Sequence, residues 1–219
     1  MNPPTLSSRR ERAFSLVELL VVLAIIAIVS SLALPVVGGA MRAYQLDSTG
    51  QLVVNQLNLA RQTALSRGHA VQVRFYLLPD FNLAPSASPT VYRGMQVFVE
   101  SDPVQSGTTV SVTTSALIKP TLFPAPIIIS SVATPAPVSP LLPATATAAD
   151  TAYSLPNYGS NYKYASFHFK PDGSTDLASG FESITLVLQR DSQVANGLPA
   201  NFVTIRIDPL NGAIRTFRP

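Results

Sequence analysis

A single carboxylate, Glu18, lies near the start of a long apolar segment that contains no other charged side chain before Arg42. Three arginines, Arg9, Arg10 and Arg12, stand directly before this segment. A carboxylate in the middle of a membrane costs on the order of 2.5–3.5 kcal/mol, although one near a helix end partly reaches the interface. A carboxylate in this position therefore needs a compensating positive charge.

Cleavage of the chain between Ala13 and Phe14 would supply that charge. The new α-amino group of Phe14 would stand four residues before Glu18, and residues at this spacing lie on one face of a helix. The helix dipole also favours a negative charge in the first turns. In a bundle of such helices, Glu18 can pair instead with the amine of a neighbouring subunit. Because an unpaired charge in an apolar bundle is costly, such a pair would fix the register between subunits.

The apolar segment at residues 14–34 has the length of a membrane helix. A helix of that length spans roughly 32 Å, which matches the hydrocarbon core of a bilayer. The upstream arginines predict that the amino terminus lies inside, in the cytoplasm, and that the remainder of the chain lies outside. Two alternatives are a secretory signal peptide cut near residues 31–33 and a plain anchor. The apolar run is longer than the usual core of a signal peptide, and both alternatives leave Glu18 unexplained.

Residues 12–35 read RAFSLVELLVVLAIIAIVSSLALP, and this combination resembles the class III signal of type IV pilins and pseudopilins. The resemblance implies that residues 1–13 are a leader and that a prepilin peptidase cuts between Ala13 and Phe14 and methylates Phe14. It also implies that Glu18 sets the register between subunits and that Pro35 kinks the helix. The family usually has glycine immediately before the cut, where this chain has Ala13.

The rest of the chain predicts a second half of the helix and a β-rich domain. Pro35 and Gly38-Gly39 are expected to interrupt the helix, and residues 35–68 show the spacing of an amphipathic helix that stops at Gly68. Beyond Ala70 the apolar period changes to two, which predicts an exported β-rich domain at residues 69–219. The predicted fold class is therefore α+β, a long amino-terminal helix packed on an antiparallel β-sheet. The helix residues expected to face the sheet are Leu46, Val53, Leu57, Ala60 and Ala64.

Two features of the β-rich part lead to specific expectations. Residues 71–77 alternate between apolar and polar side chains, which predicts a strand buried on one face only. Residues 119–149 are rich in proline, which donates no backbone hydrogen bond, so this segment is expected to be a surface loop outside the central sheet. At most, residues 127–130 (IIIS) are expected to pair as an edge strand. A tolerated insertion is favoured over a recognition arm for a partner.

The chain also resembles the GspH/FimT branch of minor pseudopilins. The resemblance lies in the helix LNLARQTALSRG, the strand AVQVRF, the stretch FHFKPDGST and the carboxy-terminal hairpin, whose turn contains glycine. The segment AFSLVELLVV and the proline-rich middle are similar as well to protein D of the Verru_Chthon gene cassettes, which is prepilin-like. The FimT resemblance implies an alternative role in DNA uptake. Arg215 and Arg218, with Phe217 between them, would then contact nucleic acid. The near-neutral charge beyond the leader, 12 basic against 11 acidic residues, argues against strong DNA binding.

The composition predicts no enzyme, no cofactor and no metal. The 219-residue chain has no cysteine, which excludes disulfides and thiolate chemistry. Its two histidines are His69, in a helix-to-strand turn, and His168, which we expect on a solvated strand face opposite Phe167 and Phe169. Neither has metal-ligand spacing. The stretch DGSTD at residues 172–176 fails the calcium-loop pattern and predicts a turn.

The sequence thus predicts a structural subunit. We expect a prepilin or pseudopilin, assembled as a minor component of a type IV pilus-like or type II secretion fibre. The expected partners are the prepilin peptidase, the inner membrane and other subunits that pack against residues 14–34. An alternative is a membrane-anchored exported protein with another role.

Overall fold

The structure of the chain is a computed structural model. For residues 32–37, 106, 109, 110, 139 and 140 it defines the backbone alone. It forms two compact units, Met1–Arg42 and Ala43–Pro219. The described residues are 15–106, 109–130, 139–143, 146, 148–150, 153–178, 182–192 and 199–218.

The helix α1 runs without a break over Leu16–Arg67. The expectation that Pro35 and Gly38-Gly39 interrupt it is wrong. A proline removes one backbone hydrogen bond and a glycine costs about 1 kcal/mol relative to alanine, and these local penalties do not outweigh the hydrogen bonding of a helix of 52 residues. The predicted stop is confirmed: the helix ends before Gly68, which has a φ of 68° and donates its N–H to the carbonyl of Ala64 at 3.0 Å.

The carboxy-terminal part of α1 buries one face against the sheet, as its spacing predicts. The five residues expected on that face are fully buried in the main hydrophobic core. At Gly50 the helix comes so close to the sheet that an added Cβ would lie 2.9 Å from Cγ1 of Val203. The described strands are β1 Val71–Leu78, β2 Val91–Glu100, β3 Val104–Ser106, β4 Thr109–Ser111, β5 Thr114–Ala116, β6 Thr121–Leu122, β7 Ile127–Ser130, β8 Ser139–Pro140, β9 Lys163–Phe169, β10 Glu182–Leu188, β11 Val203–Ile207 and β12 Ile214–Phe217.

Among the described residues, ten of these strands form one sheet, and β3 and β4 form a separate two-stranded sheet. The main path of the sheet is β12-β11-β10-β7-β2-β1-β9, and β5, β6 and β8 pair beside it. All of these pairings are antiparallel except that of β8 with β10. The predicted α+β class, with a long amino-terminal helix and an antiparallel sheet, is confirmed.

The proline-rich segment contributes a central strand, so the expectation that it lies outside the central sheet is wrong at β7. This strand pairs with β10 on one side and meets β2 on the other, where Tyr92 is opposite Ile129. Its three isoleucines are buried. Pro126 precedes the strand and the next proline is Pro135, so the strand itself keeps every N–H that the ladder requires. Residues 131–138 of the segment lie outside the described residues.

The strand β1 is buried on both faces, so the expectation of a half-buried strand is also wrong. Gln72, Arg74 and Tyr76 are buried, as are the apolar residues that alternate with them. The cover over this second face comes from residues 153–162, whose Leu155 and Tyr162 pack against Tyr76. An alternating pattern identifies the two faces of a strand, but it does not indicate whether another part of the chain covers the polar one.

Two glycine turns meet beside the end of α1. Gly212 and Gly173 have φ values of 64° and 82°, which favour glycine. A Cβ added at Gly212 would lie 2.3 Å from the backbone oxygen of Gly173. Arg61 of the helix donates from Nε to the carbonyl of Asn211 at 3.0 Å. The turn predicted at residues 172–176 is therefore present, and it packs against the final hairpin.

Candidate functional site

The first half of α1 presents an apolar surface that the described chain leaves uncovered. The exposed fractions of its large apolar side chains range from 48% at Val22 to 78% at Leu16. Among the described residues, no helical stretch combines the length and the apolarity that crossing a bilayer requires. The exposed apolar residues are Leu16, Val17, Leu19, Leu20, Val21, Val22, Leu23, Ile25, Ile26, Ile28 and Val29.

Glu18 lies in the first turn of α1 and is exposed. The helix dipole favours a carboxylate at this end. Ala13 and Phe14 lie outside the described residues, so cleavage, methylation and the pairing of Glu18 with an amine stay predictions. Pro35 lies within the helix, and the kink at this residue stays a prediction as well.

The carboxy-terminal arginines have different surroundings. Arg218 is held by α1: its Nη1 lies 3.1 Å from Oδ1 of Asp47, and its Nη2 donates to the carbonyl of Ala43 at 3.4 Å. Arg215 lies opposite Arg206 in the β11–β12 ladder. Both of these arginines line a cavity of about 100 Å³. The predicted pair of Arg215 and Arg218 is thus divided between a helix contact and a strand face, and nucleic-acid contact stays a prediction.

The two histidines both lie beside carboxylates. His69 is 3.4 Å from Asp102 through its Nδ1. His168 does lie on the strand face opposite Phe167 and Phe169, but it is not solvated as expected, because only 27% of its side chain is exposed. It sits between Glu100 and Asp176. These partners are far from His168 in the sequence or beyond the end of its strand, so the period-two pattern gave no signal for them.

A buried ion pair lies on the second face of the sheet, and no sequence motif indicated it. Arg74 is 4% exposed, and its Nη1 lies 2.6 Å from Oδ2 of Asp150. The guanidinium also lies 4.2 Å from the ring centroid of Phe98 and 4.5 Å from that of Tyr164. Contacts between cations and rings of this kind contribute about 0.5–2 kcal/mol each. Asp150, the partner carboxylate, is itself largely buried, with 18% of its side chain exposed.

Tyrosines line the same covered face and keep their protons. Burial raises the pKa of Tyr162 to about 12 and raises that of Tyr76 further. The hydroxyl of Tyr76 donates to Oε1 of Gln96 at 2.6 Å. Within the described part of the chain, no three His, Cys, Asp or Glu side chains are grouped in a way that could hold a metal ion. The hydroxyl of Tyr76 and the amide oxygen of Gln96 therefore satisfy each other's hydrogen bonding within the domain.

Comparison with known proteins places the amino terminus in a recognisable class. Residues 8–34 match the family described as the prokaryotic N-terminal methylation motif. The chain thus carries the amino-terminal signal of pilin-like proteins, and the predicted resemblance is confirmed at this segment.

Among solved structures, the chain is similar to the minor pseudopilin EpsH from the type 2 secretion system of Vibrio cholerae. The sequence identity is 11% and the TM-score is 0.41, over 80% of this chain and 98% of that chain. No curated protein sequence matches the chain.

Proposed function

We propose that the chain is a prepilin-like subunit, processed by a prepilin peptidase and assembled as a minor component of a type IV pilus-like or type II secretion fibre. The cut lies between Ala13 and Phe14, and the peptidase methylates the amine of Phe14. The observation that supports this proposal most directly is the match of residues 8–34 to the N-terminal methylation motif.

Before assembly, the subunit resides in the inner membrane as a single-pass protein. Residues 14–34 span the bilayer, the leader at residues 1–13 is cytoplasmic, and the domain at residues 69–219 is outside. The arginines before the apolar segment support this orientation, because basic residues remain on the cytoplasmic side. The exposed apolar side chains of α1 support a lipid environment, because in water their exposure would favour aggregation.

In the fibre, the apolar half of α1 packs against the same segment of neighbouring subunits. Moving apolar side chains from lipid into a helix bundle gains little hydrophobic free energy, since lipid tails are as apolar as leucine. Close packing and charge pairing therefore decide how the subunits align. Leaving one partner of a buried ion pair alone costs about 3–5 kcal/mol, so the pairing of Glu18 with the amine of Phe14 selects one register.

The domain beyond the helix acts as a structural body and not as an enzyme. Its histidines and its buried Arg74 are engaged by carboxylates of the same domain. This internally paired polar chemistry supports a role in presenting a stable surface. The amphipathic part of the helix, residues 35–68, joins this domain to the fibre core.

Amino-terminal sequencing and intact mass of the membrane-extracted protein test the processing step. In a host with an active prepilin peptidase, we expect the chain to begin at Phe14 and to carry one added methyl group. The matched variant Ala13→Gly restores the residue that the family usually has, and it should be processed at least as completely. Ala13→Asp should remain uncut, because a charged side chain does not fit a pocket for small residues.

Two outcomes would contradict the proposal. A chain that still begins at Met1 beside an active peptidase would exclude processing as a prepilin. A chain that begins at Leu34 would identify residues 1–33 as an ordinary secretory signal peptide.

A further inference from the structure

His168 lies on the last strand of the sheet path and is held by Asp176 at two points. The ring Nδ1 lies 2.6 Å from Oδ2 of Asp176. The backbone N–H of His168 donates to the other carboxylate oxygen at 2.7 Å. Both oxygens of one carboxylate thus bind one residue. The ring nitrogen Nδ1 therefore carries a proton whenever Asp176 is ionised.

The other ring nitrogen, Nε2, has two neighbours that require opposite states. Oε1 of Glu100 lies 3.1 Å away and can only accept a hydrogen bond. The amide nitrogen of Gln72 also lies 3.1 Å away and can only donate. A protonated Nε2 satisfies Glu100, and an Nε2 with a free lone pair satisfies Gln72. No single state of the ring satisfies both.

The amide of Gln72 cannot resolve this conflict by turning over. Nε of Arg74 donates to Oε1 of Gln72 at 2.6 Å, which fixes the oxygen away from the histidine. Arg74 is in turn held by Asp150. The amide NH₂ of Gln72 therefore stays directed at the ring, at the oxygen of Ser166 and at no other described acceptor.

We propose that His168 links the edge strand β9 to the end of β2 through a contact that depends on the protonation of its ring, and we call this contact the clasp. Nε2 pairs with Glu100 when the ring is protonated, and it pairs with Gln72 when the ring is neutral. In the protonated state the ring bridges two carboxylates and ties β9 across β1 to β2. In the neutral state that bridge is released, and only the contact with Asp176 and an uncharged contact with β1 remain.

The charges around the ring favour its protonated state. The hydrogen bond to Asp176 is the largest cause that raises the pKa of His168, burial opposes it, and Glu100 adds to the rise. Burial by itself would raise the pKa of Asp176, but its hydrogen bonds with His168 hold that pKa below its ordinary value. Three sets of other charged groups surround the cluster. Arg74 lies behind Gln72, Glu182 lies near Asp176, and the turn before Asp176 carries Lys170 and Asp172. Arg67, His69 and Asp102 lie near Glu100.

The two directions determine how each contact of the ring depends on pH. Since the folded-state pKa of His168 is raised, its contribution is complete below the unfolded value and is lost as the pH rises through the folded value. Since the pKa of Asp176 is lowered, its contribution is lost only as the pH falls through that lower value. The pairing of Nε2 with Glu100 is therefore lost as the pH rises through the folded-state pKa of His168, and the contact of the ring with Asp176 is lost as the pH falls through the lowered pKa of Asp176.

Ring ¹⁵N NMR of the detergent-solubilised full chain tests this proposal. The chain has two histidines, so the variant His69→Gln leaves the signal of His168 alone. At low pH we expect both ring nitrogens to be protonated. At high pH we expect the neutral ring to keep its proton on Nδ1, because Asp176 accepts there and Gln72 donates to Nε2. A neutral ring with its proton on Nε2 would overturn the proposal.

Two variants of the neighbours of Nε2 should shift the titration in opposite directions. Glu100→Gln should lower the proton affinity of His168 about tenfold, because the carboxylate that favours the charged ring is gone. Gln72→Met should raise that affinity about fivefold, because the neutral ring loses its donor. Asp172→Asn, in the same turn but bonded to Ser174, is the control and should leave the titration nearly unchanged.

Shifts of both variants in the same direction, or no shift in either, would also overturn the proposal. Gln72 is buried, and a Gln72→Met chain that does not fold would remove one of the two shifts. The position of the proton on the neutral ring of the chain that retains Gln72 decides the question independently.

Discussion

The two stretches of α1 differ in the burial of their apolar residues. In α1, Leu23 is 56% exposed and Leu57 is fully buried, although both are leucines in regular helix. Around Leu57 the chain supplies a sheet that covers the apolar face. Around Leu23 the described chain supplies no cover. The difference shows that the domain at Ala43–Pro219 contains its own core, whereas the described chain leaves the apolar side chains of the amino-terminal stretch exposed.

The largest effect should come from a matched pair of truncations on the two stretches. Leu57→Ala should lower the free energy of unfolding of the domain by about 4 kcal/mol, because it removes buried methyl groups and leaves a cavity. Leu23→Ala should leave that free energy unchanged within about 0.5 kcal/mol. Urea unfolding of both variants in detergent provides the measurement. Equal losses would contradict the contrast between the two stretches.

The buried ion pair offers the next largest effect within the domain. Asp150→Ala should cost about 3 kcal/mol, because it leaves the guanidinium of Arg74 buried without its carboxylate. The rings of Phe98 and Tyr164 beside the guanidinium keep this cost at the lower end of the usual range. The double variant Arg74→Met/Asp150→Leu should recover most of the loss, since it buries no charge. A double variant less stable than Asp150→Ala would show that the pair contributes more than charge balance.

The turn beside the end of α1 should give a smaller effect with an internal control. Gly212→Ala should cost about 2–3 kcal/mol, because its Cβ would meet the carbonyl of Gly173 and its backbone is left-handed. Gly159→Ala shares the left-handed backbone, with a φ of 56°, but its Cβ would have open space. It should therefore cost only about 1–2 kcal/mol. Equal costs would mean that the two turns can separate without penalty.

The smallest effect should be the pH dependence contributed by His168. Because its folded-state pKa is raised, the free energy of unfolding should decline as the pH rises from the ordinary histidine range through the folded-state value. His168→Gln should flatten that part of the profile. The amino-terminal stretch lacks histidine, so truncating its leucines should not alter the slope. A steeper slope in His168→Gln would contradict the assignment.

Local sequence patterns predicted most of the helix and the strands. The five buried residues of α1 and the strand at residues 71–78 follow from spacing alone, because apolar periodicity reports which side chains share a face. The expectation of an interruption at Pro35 was wrong because it considered the local cost of proline and glycine and did not consider the hydrogen bonding of the whole helix. The strand β7 was expected at most at an edge, and its central position was not predicted because the density of prolines outweighed the four residues that carry none.

The polar clusters could not be predicted from the sequence, because they join residues that are distant along the chain. Arg74 contacts Asp150, and His168 contacts Glu100, although the partners lie far apart in the sequence. The amino-terminal signal differs, because all of its residues are adjacent in the sequence. The sequence alone was therefore enough to predict this signal, and residues 8–34 match the N-terminal methylation motif.

The fate of Glu18→Ala in the assembled fibre tests the central claim most directly. The variant should insert in the membrane at least as well as the natural chain, because an apolar helix without the carboxylate costs less to insert. Its domain should be equally stable, and cleavage after Ala13 should survive. Incorporation into sheared fibres, or crosslinking to neighbouring subunits, should fall strongly, because an unpaired Phe14 amine costs a few kcal/mol in an apolar bundle. Equal incorporation at equal membrane level would contradict the role of Glu18 in subunit register.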